Sequence, residues 1–132
     1  MAGVVENTRK AYNKSTRNLN FHSAWVKVRT AKDAVDAIGT YNQFRPSSVK
    51  GALDQVQGND PNARFSIGRE GSPVIYIETG KPRSVIGVLS SMDPYRKPDE
   101  LEKVTGGQRT RQRLARLPKK SDGKSVVRAW WD

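Results

Sequence analysis

Residues 63–89 read ARFSIGREGSPVIYIETGKPRSVIGVL. Ala63, Phe65 and Ile67 alternate with Arg64 and Ser66, the period of two that lays one side of a strand on a core. Gly68-Arg69-Glu70-Gly71 reads as a turn. The runs PVIYIE, 73–78, and SVIGVL, 84–89, are dense in β-branched residues, and TGKP, 79–82, joins them. Three successive strands on short links predict an antiparallel meander. Apolar residues at both parities predict cover on parts of both sheet faces.

Upstream, Pro46 and Ser47-Ser48 open a helix with Val49, Ala52, Leu53 and Val56 inward, and the turn cluster GNDPN, 58–62, ends it. FHSAWVKVRT, 21–30, alternates as a strand, with Ala24, Val26 and Val28 on one face and Phe21, Trp25, Lys27 and Arg29 on the other. Thr30-Ala-Lys-Asp33 has the form of a capping box, and Ala31, Ala34, Val35 and Ile38 then follow at helical spacing up to Gly39. Downstream, SSMDPYRKPD, 90–99, reads as a loop, and Pro98 or Asp99 starts a helix, DELEKV, that Gly106-Gly107 ends or interrupts. SVVRAWWD, 125–132, reads as a last strand. The expectation is an α+β domain: an antiparallel sheet of four or five strands, the meander near 63–89 at its centre, packed with two or three short helices, with basic N- and C-terminal arms. Residues 1–20 form a polar arm or weak helix, 21–104 a single domain, and 105–132 an arginine-rich segment with a C-terminal strand or tail.

The 132 residues suit one domain. Cysteine is absent and His22 is the only histidine, which excludes a thiolate nucleophile, a cysteine-ligated metal and a histidine-rich metal site. No cofactor is expected. No apolar run approaches the ~18 residues of a membrane span, and MAGVVENTRKAY lacks a signal-peptide core. These features point to a soluble protein, either cytoplasmic, nucleic-acid-associated or part of a virion.

The net charge is +11, and it is unevenly spread. Residues 1–32 carry +6, residues 33–105 carry −1, and residues 106–132 carry +6. A near-neutral body between basic flanks fits a polyanionic partner, DNA or RNA, with solubility as the plainer explanation. The sharpest segment is TGGQRTRQRLARLPKK, 105–120, with six basic residues and no acidic one. On a helix, Arg109, Arg113 and Arg116 fall within about 60° of one another, beside a Leu114/Leu117 stripe, while Arg111 points elsewhere. Such a ridge tracks phosphates through forked guanidinium bonds. A merely solvated face usually interleaves glutamates, and none occurs between Glu102 and Asp122.

Trp25, Lys27 and Arg29, with Phe21 nearby, make a second candidate, because an aromatic that stacks a base beside cations that hold phosphates suits a single strand. Packing under a helix is the alternative for Phe21 and Trp25. The terminal Trp130-Trp131-Asp132 reads either as a buried last strand or as a partner-docking tail.

Two resemblances follow from these motifs. The segment VIYIETGKPRSVIG, 74–87, resembles the hairpin of the GIY-YIG nucleases, with Val74-Ile75-Tyr76 and Val85-Ile86-Gly87 at the two name motifs, Val74 replacing a glycine and Val85 a tyrosine. That resemblance implies a metal-dependent nuclease, with Arg96 as its arginine and Glu100 or Glu102 as its metal-binding glutamate. The order of a helix at 46–57, strands at 63–68, 73–79 and 83–89, and a final basic helix is similar to the double-stranded-RNA-binding fold.

The leading expectation is a non-enzymatic nucleic-acid-associated protein that contacts the phosphate backbone with little base readout. Arg109, Arg111, Arg113, Arg116, Lys119 and Lys120 form the main set, with Arg9, Lys10, Lys14 and Arg17 helping from the other end. The rival is an assembly protein, a subunit of a virion or other large complex. Its arms and tail would dock on copies of itself or on acidic subunits.

Overall fold

The computed structural model describes residues 3–13, 20–105 and 117–132. In chain order the elements are α1 (Val4–Ala11), β1 (Phe21–His22), α2 (Val28–Ile38), α3 (Pro46–Asn59), β2 (Arg64–Glu70), β3 (Ser72–Thr79), α4 (Pro82–Ser90), β4 (Glu100–Lys103) and β5 (Ser125–Trp130). The five strands form one antiparallel sheet in the order β1-β2-β3-β5-β4. The α+β class and the antiparallel sheet agree with the sequence reading, with four helices where two or three were expected.

The sheet has two unlike faces. Phe65, Ile67, Ile75, Ile77, Val127 and Ala129 point toward the helices and join Ala31, Val35, Val49, Leu53, Val85 and Leu89 in the main core. The opposite face carries a smaller cluster of Val74, Tyr76, Val104, Leu117 and Val126, with Trp25 and Trp130 packed against it. All eight residues of β3 are buried, as expected of a strand covered on both sides.

The hairpin of β2 and β3 forms in register from Arg64↔Glu78 to Glu70↔Ser72. Its turn is confined to Gly71, whose φ of 75° lies in the region that favours glycine. Gly68, expected in the turn, is inside β2. A Cβ there would sit 2.3 Å from the Phe21 carbonyl oxygen, so the absent side chain lets β1 approach.

The expected third strand of the meander is instead α4. Val85, Val88 and Leu89 are its buried residues, at i, i+3 and i+4, and Pro82 stands in its first turn, where a missing N–H costs nothing. The place beside β3 belongs to β5, paired from Val74↔Trp130 to Thr79↔Ser125. Two consequences follow. Val74-Ile75-Tyr76 and Val85-Ile86-Gly87 lie on a strand and a helix, so the paired-strand geometry of the nuclease hairpin is not formed. The helix–three-strand–helix order of the double-stranded-RNA-binding fold is likewise absent.

Two further elements differ from expectation. Residues 100–103, expected as helix, are strand β4. Glu100 and Glu102 both reach toward Arg128, which only an extended chain allows for residues two apart. In the stretch 21–30, Phe21–His22 pairs with β2, Val26 makes an isolated bridge to Phe65, and α2 already begins at Val28. Ser23 breaks the alternation: its hydroxyl accepts from the Ile67 amide at 2.9 Å, and the Ser66 hydroxyl donates to its carbonyl at 2.7 Å. Lys27, not Thr30, is the N-cap, with no side-chain cap bond.

No helix among the described residues is long and apolar enough to cross a membrane.

Candidate nucleic-acid interface

The register places one end of the sheet unambiguously. Arg64 faces Glu78, Val26 bridges to Phe65, Thr79 faces Ser125, and the Val104 amide donates to the Val126 carbonyl at 2.8 Å. At this end α2 starts after Lys27, α4 starts after Lys81, and β5 starts after Lys124. Lys27, Arg29, Lys81, Arg83 and Lys119 are exposed there, with Lys120 and Lys124 half-buried. The first turns of α2 and α4 hold no acidic residue, so the positive ends of both helix dipoles add to the lysines and arginines.

Two of the nearby carboxylates, Glu78 and Asp60, are bonded inside the fold, while Asp122 is exposed between Lys120 and Lys124. Glu78 is buried and accepts two bonds from Arg64, at 2.7 and 2.8 Å, and one from the Ser121 amide at 2.7 Å. Burial pushes its pKa up, but the bonds from Arg64 and Ser121 outweigh that and hold it below the usual range. Asp60 accepts from the Thr79 hydroxyl at 2.6 Å and from the amides of Gly80 and Asn62 at 3.2 Å each. Its pKa is likewise lowered against the opposing effect of burial. Asp60 thus ties the turn after α3 to the turn before α4.

Arg109, Arg111, Arg113 and Arg116 lie outside the described residues, as do Lys14 and Arg17. The residues that flank the arginine segment are placed. Thr105 follows Val104 at the cationic end, and Leu117 is buried against Val74, Tyr76, Val104 and Val126. The chain then crosses the second sheet face. The Trp25 indole donates to the Lys119 carbonyl at 3.0 Å, and the Ser121 hydroxyl accepts from Arg64 at 3.1 Å.

Trp25 and its expected companions are not on one strand face. Trp25 is packed against the second-face cluster, with the Arg64 guanidinium 5.9 Å from its ring centroid, and it serves as an anchor for the 117–121 segment. Lys27 and Arg29 belong to the start of α2, because that helix begins earlier than the alternation implied. Arg9 and Lys10 are in the last turn of α1. That helix packs at the other end of β2, where the Tyr12 hydroxyl donates to the Gly68 carbonyl at 2.8 Å. Arg9 and Lys10 are therefore at the opposite end of the sheet from Lys27, Arg29, Lys119 and Lys120. Trp131 is fully buried, edge-on to Phe44, with its indole donating to the Arg96 carbonyl at 2.9 Å; this places it in the core and removes it from a docking tail. Trp130 is half-buried, its indole donating to the Glu70 carbonyl.

A buried polar network escaped the sequence reading. Glu70 accepts from Tyr76 Oη at 2.5 Å and from Arg128 Nε and Nη2 at 3.1 and 2.9 Å, and its Oε2 lies 2.7 Å from His22 Nε2. Arg128 Nη1 donates to Glu100 at 2.6 Å. Burial alone would push the Glu70 carboxyl up, yet the bonds from His22, Tyr76 and Arg128 hold it below the usual range. Burial, with the Glu70 carboxylate beside it, raises the Tyr76 hydroxyl far above the tyrosine range. The network links β1, β2, β3, β4 and β5, and its side chains His22, Glu70 and Arg128 are all less than 7% exposed. It joins all five strands. The one available signal was His22 and Arg128 at strand positions, which the fold brings to one shared carboxylate, Glu70.

No three His, Asp or Glu side chains among the described residues are grouped to hold a metal ion. Compared with protein-family models, curated proteins and solved structures, the chain matches none.

Proposed function

We propose that the protein binds the phosphate backbone of a nucleic acid at the cationic end of its sheet, with little base readout. One observation carries the reading. On either side of the arginine segment, the Val104 amide donates to the Val126 carbonyl and Leu117 is buried against Val74, Tyr76, Val104 and Val126. The same end gathers Lys27, Arg29, Lys81, Arg83, Lys119, Lys120 and Lys124, while Glu78 and Asp60 are consumed by internal bonds. Arg109, Arg111, Arg113 and Arg116 stand between Val104 and Leu117 in the sequence, and the fixed positive helix ends strengthen the field. The mechanism is counterion release, so affinity falls steeply with salt.

The test is a salt series with fluorescent single- and double-stranded DNA and RNA. Each cation in contact with duplex phosphates contributes about 0.9 to the log–log slope, or about 0.7 on single strands. Changing Lys27, Arg29, Lys119 and Lys120 together to Ala is expected to flatten the slope by about 3 to 4, for all sequences alike. Changing Arg9 and Lys10, at the other end, has a smaller effect. Equal slopes for wild type and the fourfold variant refute the assignment, and absence of binding at low salt redirects the basic flanks to protein docking.

A further inference from the structure

Arg69 is the odd cation of this fold. It lies on β2 and is only 4% exposed. Among the described residues its Nη1 donates to one neutral acceptor, the Ala11 carbonyl, at 3.2 Å, and its buried Nε has no partner. No carboxylate among the described residues pairs with it. Residues 1–2, 14–19 and 106–116 contain no Asp or Glu, so the chain has no further acid to offer. Buried guanidinium groups are normally paired with an anion.

The surroundings are built around the cation. The Tyr12 ring lies 4.7 Å and the Tyr41 ring 5.7 Å from the guanidinium carbon, and the two rings meet edge to face with centroids 6.3 Å apart. Aromatic faces stabilise a cation without neutralising it. Burial raises the Tyr12 hydroxyl far above the tyrosine range, against the lowering effect of Arg69, so Tyr12 is no phenolate counter-ion. The C-terminal end of α1 supplies only a partial negative charge through the Ala11 carbonyl. Lys10, in the same turn of α1, adds positive charge, while Arg9 is paired with Glu6. Tyr12 is also the element that closes the site, half-buried and held to the Gly68 carbonyl by its hydroxyl.

We propose that Arg69, walled by Tyr12 and Tyr41, is a seat for one phosphate group, which takes the place of the Ala11 carbonyl as the guanidinium's acceptor when the end of α1 and Tyr12 swing aside. A phosphate satisfies the guanidinium fork with two parallel bonds, each charge-assisted, where the present acceptor makes one neutral bond. The group is either free phosphate or the terminal phosphate of an oligonucleotide, and the two share this chemistry. The site is separate from the cationic end of the sheet and stands or falls independently of it.

The test uses the full chain and follows the Arg69 Nε–H signal and the Ala11 and Tyr12 amides by NMR. Inorganic phosphate, acetate and chloride are titrated at matched ionic strength, followed by a short oligonucleotide with and without a 5′-phosphate. Phosphate is expected to shift these signals. Arg69→Met removes both charge-assisted bonds, and as the loss of one alone weakens binding by about 10- to 100-fold, a loss of at least that size is expected. Arg69→Lys keeps the charge but loses the fork, and an intermediate loss is expected; it decides the matter if Arg69→Met does not fold. Shifts of these signals by the 5′-phosphorylated oligonucleotide and not by its unphosphorylated counterpart assign the seat to a nucleic-acid end, and shifts by inorganic phosphate with neither oligonucleotide acting assign it to free phosphate. Unchanged signals, acetate matching phosphate, or wild-type affinity in Arg69→Lys overturns the proposal.

Discussion

Removing the Glu70 carboxylate tests the strand network most directly. In Glu70→Ala, Arg128 stays in place with its side chain 2% exposed and loses two of its three close carboxylate bonds. His22 Nε2 and the Tyr76 hydroxyl lose their acceptor as well. Breaking a buried pair from one side leaves an uncompensated charge and costs about 3–5 kcal/mol. That is a large part of a whole domain's stability of roughly 5–15 kcal/mol. Glu100 contacts the same guanidinium, but its side chain is 50% exposed, so water replaces it cheaply. Glu100→Ala should therefore cost no more than about 1 kcal/mol. The double variant Glu70→Gln with Arg128→Met removes both charges, and it should recover most of the loss because no buried charge is stranded. Urea denaturation, read by tryptophan fluorescence and far-ultraviolet circular dichroism, gives all three values. Equal losses for Glu70→Ala and Glu100→Ala, or a double variant no better than Glu70→Ala, would refute the reasoning.

Trp131→Ala should cost about 3–5 kcal/mol as a core truncation, and Trp130→Ala distinctly less. Similar small losses in urea denaturation would return Trp131 to the surface. Gly68→Ala forces a methyl against the Phe21 carbonyl and should cost about 1–3 kcal/mol, with faster hydrogen exchange at the Ser23 amide that bonds Ile67. Unaltered exchange there argues against the close approach. The carboxyls of Asp60, Glu70 and Glu78 are all lowered in the folded chain. Their contribution is complete above the unfolded values of about 4. It is lost as pH falls through the lowered folded values, so the unfolding midpoint should drop steeply in acid and stay flat from about pH 5 to 7. A midpoint unchanged down to pH 2 excludes this linkage.

The core-facing pattern was largely legible in the sequence. Ala31, Ala34, Val35 and Ile38, the inward set of α3, and the alternation of Phe65 and Ile67 follow from periodicity, because each element must turn its apolar side to one core. So was the uneven charge that motivates the proposed interface. Misreadings fell where two periods coincide or where a partner lies far along the chain. Val85, Val88 and Leu89 fit a helix as well as β-branched density fits a strand, and neither pattern shows that β5 has already taken the edge of β3.

Glu100 and Glu102 looked like an acidic helix start until Arg128, 28 and 26 residues away, drew both to one side of a strand. By itself, then, the sequence determined the α+β class, the hairpin at 64–79, the inward faces of α2 and α3, and the charge separation between body and flanks. Tertiary structure alone decided that β5 enters between β3 and β4, that Trp131 is core, and that Arg9 and Lys10 lie at the opposite end of the sheet from Lys27, Arg29 and Lys119. It also stranded Arg69 without an anion. The physical reason is range: periodicity and turn chemistry act over a few residues, while strand order and the partner of a buried charge depend on contacts between residues distant in the chain.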